Sequence, residues 1–124
     1  MKEIKFRAWD EEDKIMRNWE EVILEKEHGD DYWLEGYKEN DVVTSFDHEQ
    51  ILEQYTGMKD KNGKEIYEGD VVIANYDEEE QGAVVWDSTE LEYGIDIGSV
   101  QMKMGCFYSR ELEIIGNIHE GVQE

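Results

Sequence analysis

Tyr55-Thr56-Gly57-Met58-Lys59-Asp60-Lys61-Asn62-Gly63-Lys64-Glu65-Ile66-Tyr67-Glu68-Gly69-Asp70-Val71-Val72-Ile73 is the densest run of turn chemistry in the chain, and it ends in the strongest strand signal. Asn62-Gly63 reads as a hairpin turn, because both residues tolerate positive φ. Gly69-Asp70 reads as a second turn. It feeds Val71-Val72-Ile73, which is β-branched throughout and therefore suited to a pleated strand. The stretch carries no catalytic arrangement. Its spacing speaks for fold, and function has to be sought elsewhere.

Downstream, the strand signal continues to Tyr76. Asp77-Glu78-Glu79-Glu80-Gln81-Gly82 reads as a polar turn, with Gly82 its last residue. Ala83-Val84-Val85-Trp86 is the next strand and Asp87 to Glu90 the next turn. Leu91 to Ile97 alternates as a half-buried strand does. Gly98 to Gly105 reads as a loop or bulged strand, and Cys106 to Ser109 as a strand closing the meander. Leu112 to Ile118 is the final strand, with Gly116 at a bulge. Short antiparallel strands with turns every ~8–12 residues, and glycines where a sheet bends, match a small five-stranded barrel of the SH3-like type over residues 55–118.

Upstream, Ile4, Phe6 and Ala8 alternate with Lys5, Arg7 and Trp9, which reads as a half-buried first strand. Asp10 to Lys14 is a charged turn, and Ile15 to Trp19 returns as a second strand. Val22-Ile23-Leu24 fits a short buried strand, although its Glu and Lys flanks also permit a helical turn. Tyr32 to Leu34 and Val42 to Phe46 read as strands, with Gly36 to Asn40 a turn between them. Ser45 or Asp47 would cap a short turn over His48 to Glu53 that carries Ile51 and Leu52 to the core. The expected fold is mainly β and a single domain. An N-terminal β-rich portion (residues 1–54) would pack on the C-terminal barrel-like core.

Three segments together resemble one family. Tyr55-Thr56-Gly57 followed by Asp60 to Asp70, the opening Ile4-Lys5-Phe6-Arg7-Ala8-Trp9-Asp10, and the closing Leu112-Glu113-Ile114-Ile115-Gly116-Asn117-Ile118-His119-Glu120 are similar to the YopX family of bacteriophage and prophage proteins. They bracket nearly the whole chain in the expected order. Residues 11–53 and 74–110 match only in general character. The resemblance implies a small, mostly β phage protein of unknown molecular function. It brings no catalytic residues to carry over.

The charge balance is the chief anomaly of composition. The 124 residues hold 33 acids against 12 bases, a formal net charge of −21. The excess is not a tail: residues 1–56 carry −10 and residues 57–124 carry −11. Such a surface repels phosphate backbones, so direct nucleic-acid binding is not expected. It keeps the protein soluble. It also permits a second reading, an acidic decoy that mimics DNA and occupies a basic cleft on a host nucleic-acid enzyme.

Cys106 is the single cysteine, which excludes an internal disulfide and a cysteine-built metal site. The opening residues are charged where a signal peptide needs an apolar run, and no stretch approaches a membrane span. A cytoplasmic location in a bacterial host is expected, without membrane association.

Candidate chemistry is sparse. His28, His48 and His119 form no local metal motif. Asp60-Lys61-Asn62-Gly63 opens like a calcium loop, but the later oxygen ligands fail. Asp70, Asp87 and Asp96 would have to converge for a metal-dependent hydrolase, yet each sits where a turn uses Asp for side-chain-to-backbone bonds. No nucleophile elbow, P-loop or dinucleotide-binding glycine motif is present. No cofactor, metal site or enzymatic activity is expected. The aromatics are more informative. Tyr55, Tyr67, Tyr76, Trp86, Tyr93 and Tyr108 all fall in the barrel region, where an exposed subset would form a peptide-binding groove. Trp9, Trp19 and Trp33 could serve a self-association surface. The expected function is a protein-binding module acting on a partner or on its own copies. The turn residues Asn62, Gly63, Gly69, Asp70 and Gly82 would hold its frame.

Overall fold

Alternating β-branched and polar residues, with turns supplied by Gly, Asn and Asp in the absence of any proline, make strands the dominant element. The computed structural model describes residues 4–26, 32–39, 42–45, 50–75, 79–98 and 100–122. The fold is mainly β, as expected, with two short 3-10 turns among the described residues. The chain divides into two units: residues 5–54, and residues 55–124 together with residues 1–4.

In the first unit, β1 (Phe6–Asp10) pairs antiparallel with β2 (Ile15–Arg17), Trp9 opposite Met16. The acidic turn between them is held by Asp10, whose Oδ1 accepts the N–H groups of Glu12 at 3.0 Å and Asp13 at 2.9 Å. Strands β3 (Val22–Lys26), β4 (Tyr32–Glu39) and β5 (Val42–Ser45) form an antiparallel meander. The expected turn from Gly36 is therefore corrected. β4 runs on to Glu39, with Gly36 paired to both Ile23 and Ser45. β1 also pairs with the first half of β6 (Gln50–Lys59), so Gln50 to Glu53 are strand and not a capped helical turn. Ile51 is exposed as a result. The expected cap at Asp47 and the residue His48 lie outside the described residues. Directly opposed on β1 and β6, Arg7 Nε donates to Glu53 Oε1 at 2.9 Å. Ala8, Trp9 and Asp10 are buried in succession, so the end of β1 is covered on both faces rather than alternating.

In the second unit, the rest of β6 pairs with β7 (Glu65–Tyr67), and the ladder is irregular between Tyr55 and Lys59. Strands β8 (Asp70–Asn75), β9 (Glu79–Asp87), β10 (Glu92–Asp96), β11 (Gln101–Lys103), β12 (Leu112–Asn117) and β13 (Gly121–Val122) then form one antiparallel sheet. Its order is β11-β10-β9-β8-β12-β13. The expected barrel is thus matched in its antiparallel meander, and the pairings among the described residues form an open ladder of six strands. Val72 and Ala74 on β8, Val84 on β9 and Ile95 on β10 face one side. With Ile66, Met104, Phe107 and Leu112 they make the apolar core. Period-two alternation places them there.

Two further expectations change and one holds. Gly82 is not a turn residue. It lies within β9 opposite Val72, where a Cβ would come within 2.5 Å of the Asp96 carbonyl oxygen. Close backbone approach, not turn geometry, explains this glycine. Cys106 to Ser109 is not a strand: Met104–Cys106 and Ser109–Glu111 are 3-10 turns. The bulge near Gly116 is present, with Ile114 opposite Val72 and Gly116 opposite Val71, so that Ile115 is the extra residue.

Candidate functional site

The turn from Asp60 is built around one buried carboxylate. Asp60 Oδ1 accepts the N–H groups of Asn62 and Lys64, each at 2.9 Å, and Oδ2 accepts Ile114 N–H at 3.0 Å. Burial pushes the Asp60 carboxyl up, but these three donors and the Lys64 charge outweigh it and hold it below its ordinary value. Gly63 takes the left-handed conformation at φ 81°, while Asn62 does not. The turn is therefore not the two-residue form with both centres at positive φ. Gly69 carries positive φ, and buried Asp70 accepts the N–H of Tyr67 at 2.8 Å. Asn62 and Gly63 lie in the first of these turns, and Gly69 and Asp70 in the second.

A second turn joins β9 to β10. Asp87 and Glu92 close it, and Asp87 Oδ1 accepts the N–H groups of Thr89 at 2.9 Å and Glu90 at 3.1 Å. Leu91 completes it with φ 56°, a left-handed backbone that costs a Leu about 1–2 kcal/mol. Its side chain is 73% exposed. An apolar residue in a strained conformation that its fold does not bury points to a task other than folding.

Leu91 stands at the edge of an open groove of about 380 Å³. Trp86 and Tyr93, cross-strand partners on β9 and β10, form one wall, with ring centroids 4.9 Å apart in an edge-to-face arrangement. Trp86 remains 44% exposed. The core residue Met104 and, from β6, Met58 complete the apolar lining. Met58 is placed by the irregular stretch of β6: Thr56 Oγ1 donates to the Ile66 carbonyl at 2.7 Å and accepts Met58 N–H at 3.2 Å. Burial pushes the Tyr93 hydroxyl up, and the Glu68 carboxylate adds to it, so the phenol stays protonated. Glu92 lines the groove beside Lys103, its salt-bridge partner at 3.6 Å. Asp87 and Glu90 line an adjoining depression with Glu92.

The six aromatics separate accordingly. Trp86 and Tyr93 form the groove. Tyr55 and Tyr67 are buried and pack on each other at 5.6 Å, so they serve the interior. Tyr108 is exposed but covered on one face by the Arg110 guanidinium, 4.4 Å from its ring centroid. Tyr76 lies outside the described residues. In the first unit, Trp19 packs on Phe6 with centroids 6.1 Å apart, and Trp9 is buried. Met58, Leu91 and Met104 are the contributors that sequence reading missed. Leu91 is expected to open the strand after the turn, whereas β10 begins at Glu92 and Leu91 belongs to the turn. The two methionines carried no signal.

Asp70, Asp87 and Asp96 each bond to backbone of their own turns, Asp96 to Gly98 N–H at 2.9 Å. Among the described residues no group of three or more His, Cys, Asp or Glu gathers as a metal ion would require. Among them, too, no helix is long and apolar enough to cross a membrane.

Comparison with known proteins agrees with this architecture. The model of the family described as YopX protein matches residues 5–123. Among solved structures, the crystal structure of protein EF1440 from Enterococcus faecalis is similar, with a TM-score of 0.62 and 20% identity. The alignment covers 96% of this chain and 95% of that one, and at this identity the likeness speaks for the fold. No curated protein matches the chain.

Proposed function

The chain belongs to the YopX family, and from that premise we propose that it is a phage or prophage accessory protein that works by binding another protein, without catalysis, in the cytoplasm of a bacterial host. One observation carries this reading. The Trp86–Tyr93 pair and the strained, exposed Leu91 line one open groove. Exposed aromatics beside adaptable methionines are the residue types that anchor protein partners. The net charge of −21 adds long-range steering toward a basic partner.

The test is a tagged pull-down from bacterial lysate with the native chain and with Trp86→Ala in parallel. A partner retained by the native chain and lost with the variant supports the groove, and its association should slow as salt rises. A partner retained equally by both and released by added DNA would instead make the protein an acidic decoy.

A further inference from the structure

Resting on that groove reading, we infer that its occupant is a linear segment of another protein, with one or two apolar side chains flanked by Lys or Arg. The charge around the groove is the first argument. Glu92 lines it, Asp87 and Glu90 line the depression beside it, and Glu68 lies close enough to Tyr93 for its charge to act on the phenol. Among the described residues, Lys103 is the one cation in these two linings, and it is engaged by Glu92. An apolar trough beside four carboxylates and one lysine suits an apolar anchor with basic neighbours.

The same charge argues against a second copy. Each copy carries a net charge of −21, so a self-complementary contact here would bring acidic faces together. Size argues for a segment. The groove holds about 380 Å³, which suits one or two side chains rather than the broad patch that a folded domain buries. Met58 and Met104 let such a site re-pack around differing anchors.

The experiment selects twelve-residue peptides from a randomised library against the full chain, then measures the winners on native protein, Trp86→Ala and Leu91→Gly. The expected winners carry aromatic or aliphatic anchors next to Lys or Arg. Their affinity should fall at least about tenfold with either variant, and fall again as salt rises. Leu91→Gly keeps the backbone conformation, so it guards against a variant that fails to fold. Winners that need Trp86 but carry neutral or acidic flanks would overturn the inference and leave the groove reading standing. Winners indifferent to Trp86→Ala would overturn both. If nothing is enriched, the linear segment is wrong. Should the chain then self-associate through Trp86, the occupant is a second copy.

Discussion

Two turns in the second unit use the same parts to different ends. At residues 60–64 and at residues 87–92 an Asp side chain accepts two backbone N–H groups from its own turn. Each turn has one residue in the left-handed region. In the first it is Gly63, at φ 81°, with nothing within 4 Å of where a Cβ would sit. In the second it is Leu91, at φ 56° and exposed beside the groove. The first turn obeys the local rules and is tied to β12 through Asp60 and Ile114. The second breaks a rule that glycine would satisfy, and gains no burial for it. Strain without a packing reward marks where folding is no longer the governing demand.

The largest effect expected from breaking this comparison is at the two aspartates. Asp60→Ala strands the part-buried Ile114 donor and frees two more, and should cost about 1–3 kcal/mol in urea unfolding. Asp87→Ala exposes its donors to water and should cost about 1 kcal/mol or less. Equal losses would mean that the first turn is no more tightly tied than the second.

Next come the left-handed positions. Gly63→Leu places a Leu where the second turn has one, and should cost about 1–2 kcal/mol from backbone strain alone. Leu91→Gly relieves that strain but adds about 0.5–1 kcal/mol of unfolded-chain freedom, so it should be neutral or stabilising by up to about 1.5 kcal/mol. A clear loss of stability in Leu91→Gly would show that the leucine serves the fold.

A smaller effect separates the turns by pH. The folded Asp60 carboxyl lies below its ordinary value of 3.8. Its contribution is therefore complete above that value and is lost as pH falls through it toward the folded value. Asp60→Asn should flatten the decline in stability between about pH 5 and pH 3 relative to the native chain. An unchanged slope would assign acid sensitivity to other carboxylates.

The first turn was legible in the sequence because its chemistry is local. Asp, Asn and Gly at fixed offsets announce a hairpin whatever surrounds them. Val71 to Ile73 and Ala83 to Trp86 were legible for a similar reason: β-branched runs bounded by turn residues have few alternatives. Gly82 was misread because a glycine after acidic residues looks like a turn, whereas its use depends on Asp96 and Ile95 of another strand. The groove was legible only in part. Trp86 and Tyr93 stood out as aromatics, but their pairing depends on the register of β9 against β10. Tyr55 and Tyr67 looked equivalent to them until burial separated the pairs. Met58, Leu91 and Met104 come together only in three dimensions.

The most direct test of the account is the affinity of Leu91→Gly for a peptide selected on the native chain. A folded variant that binds at least about tenfold more weakly is the predicted result. Unchanged affinity in that variant would contradict the claim that Leu91 is held exposed to meet a partner.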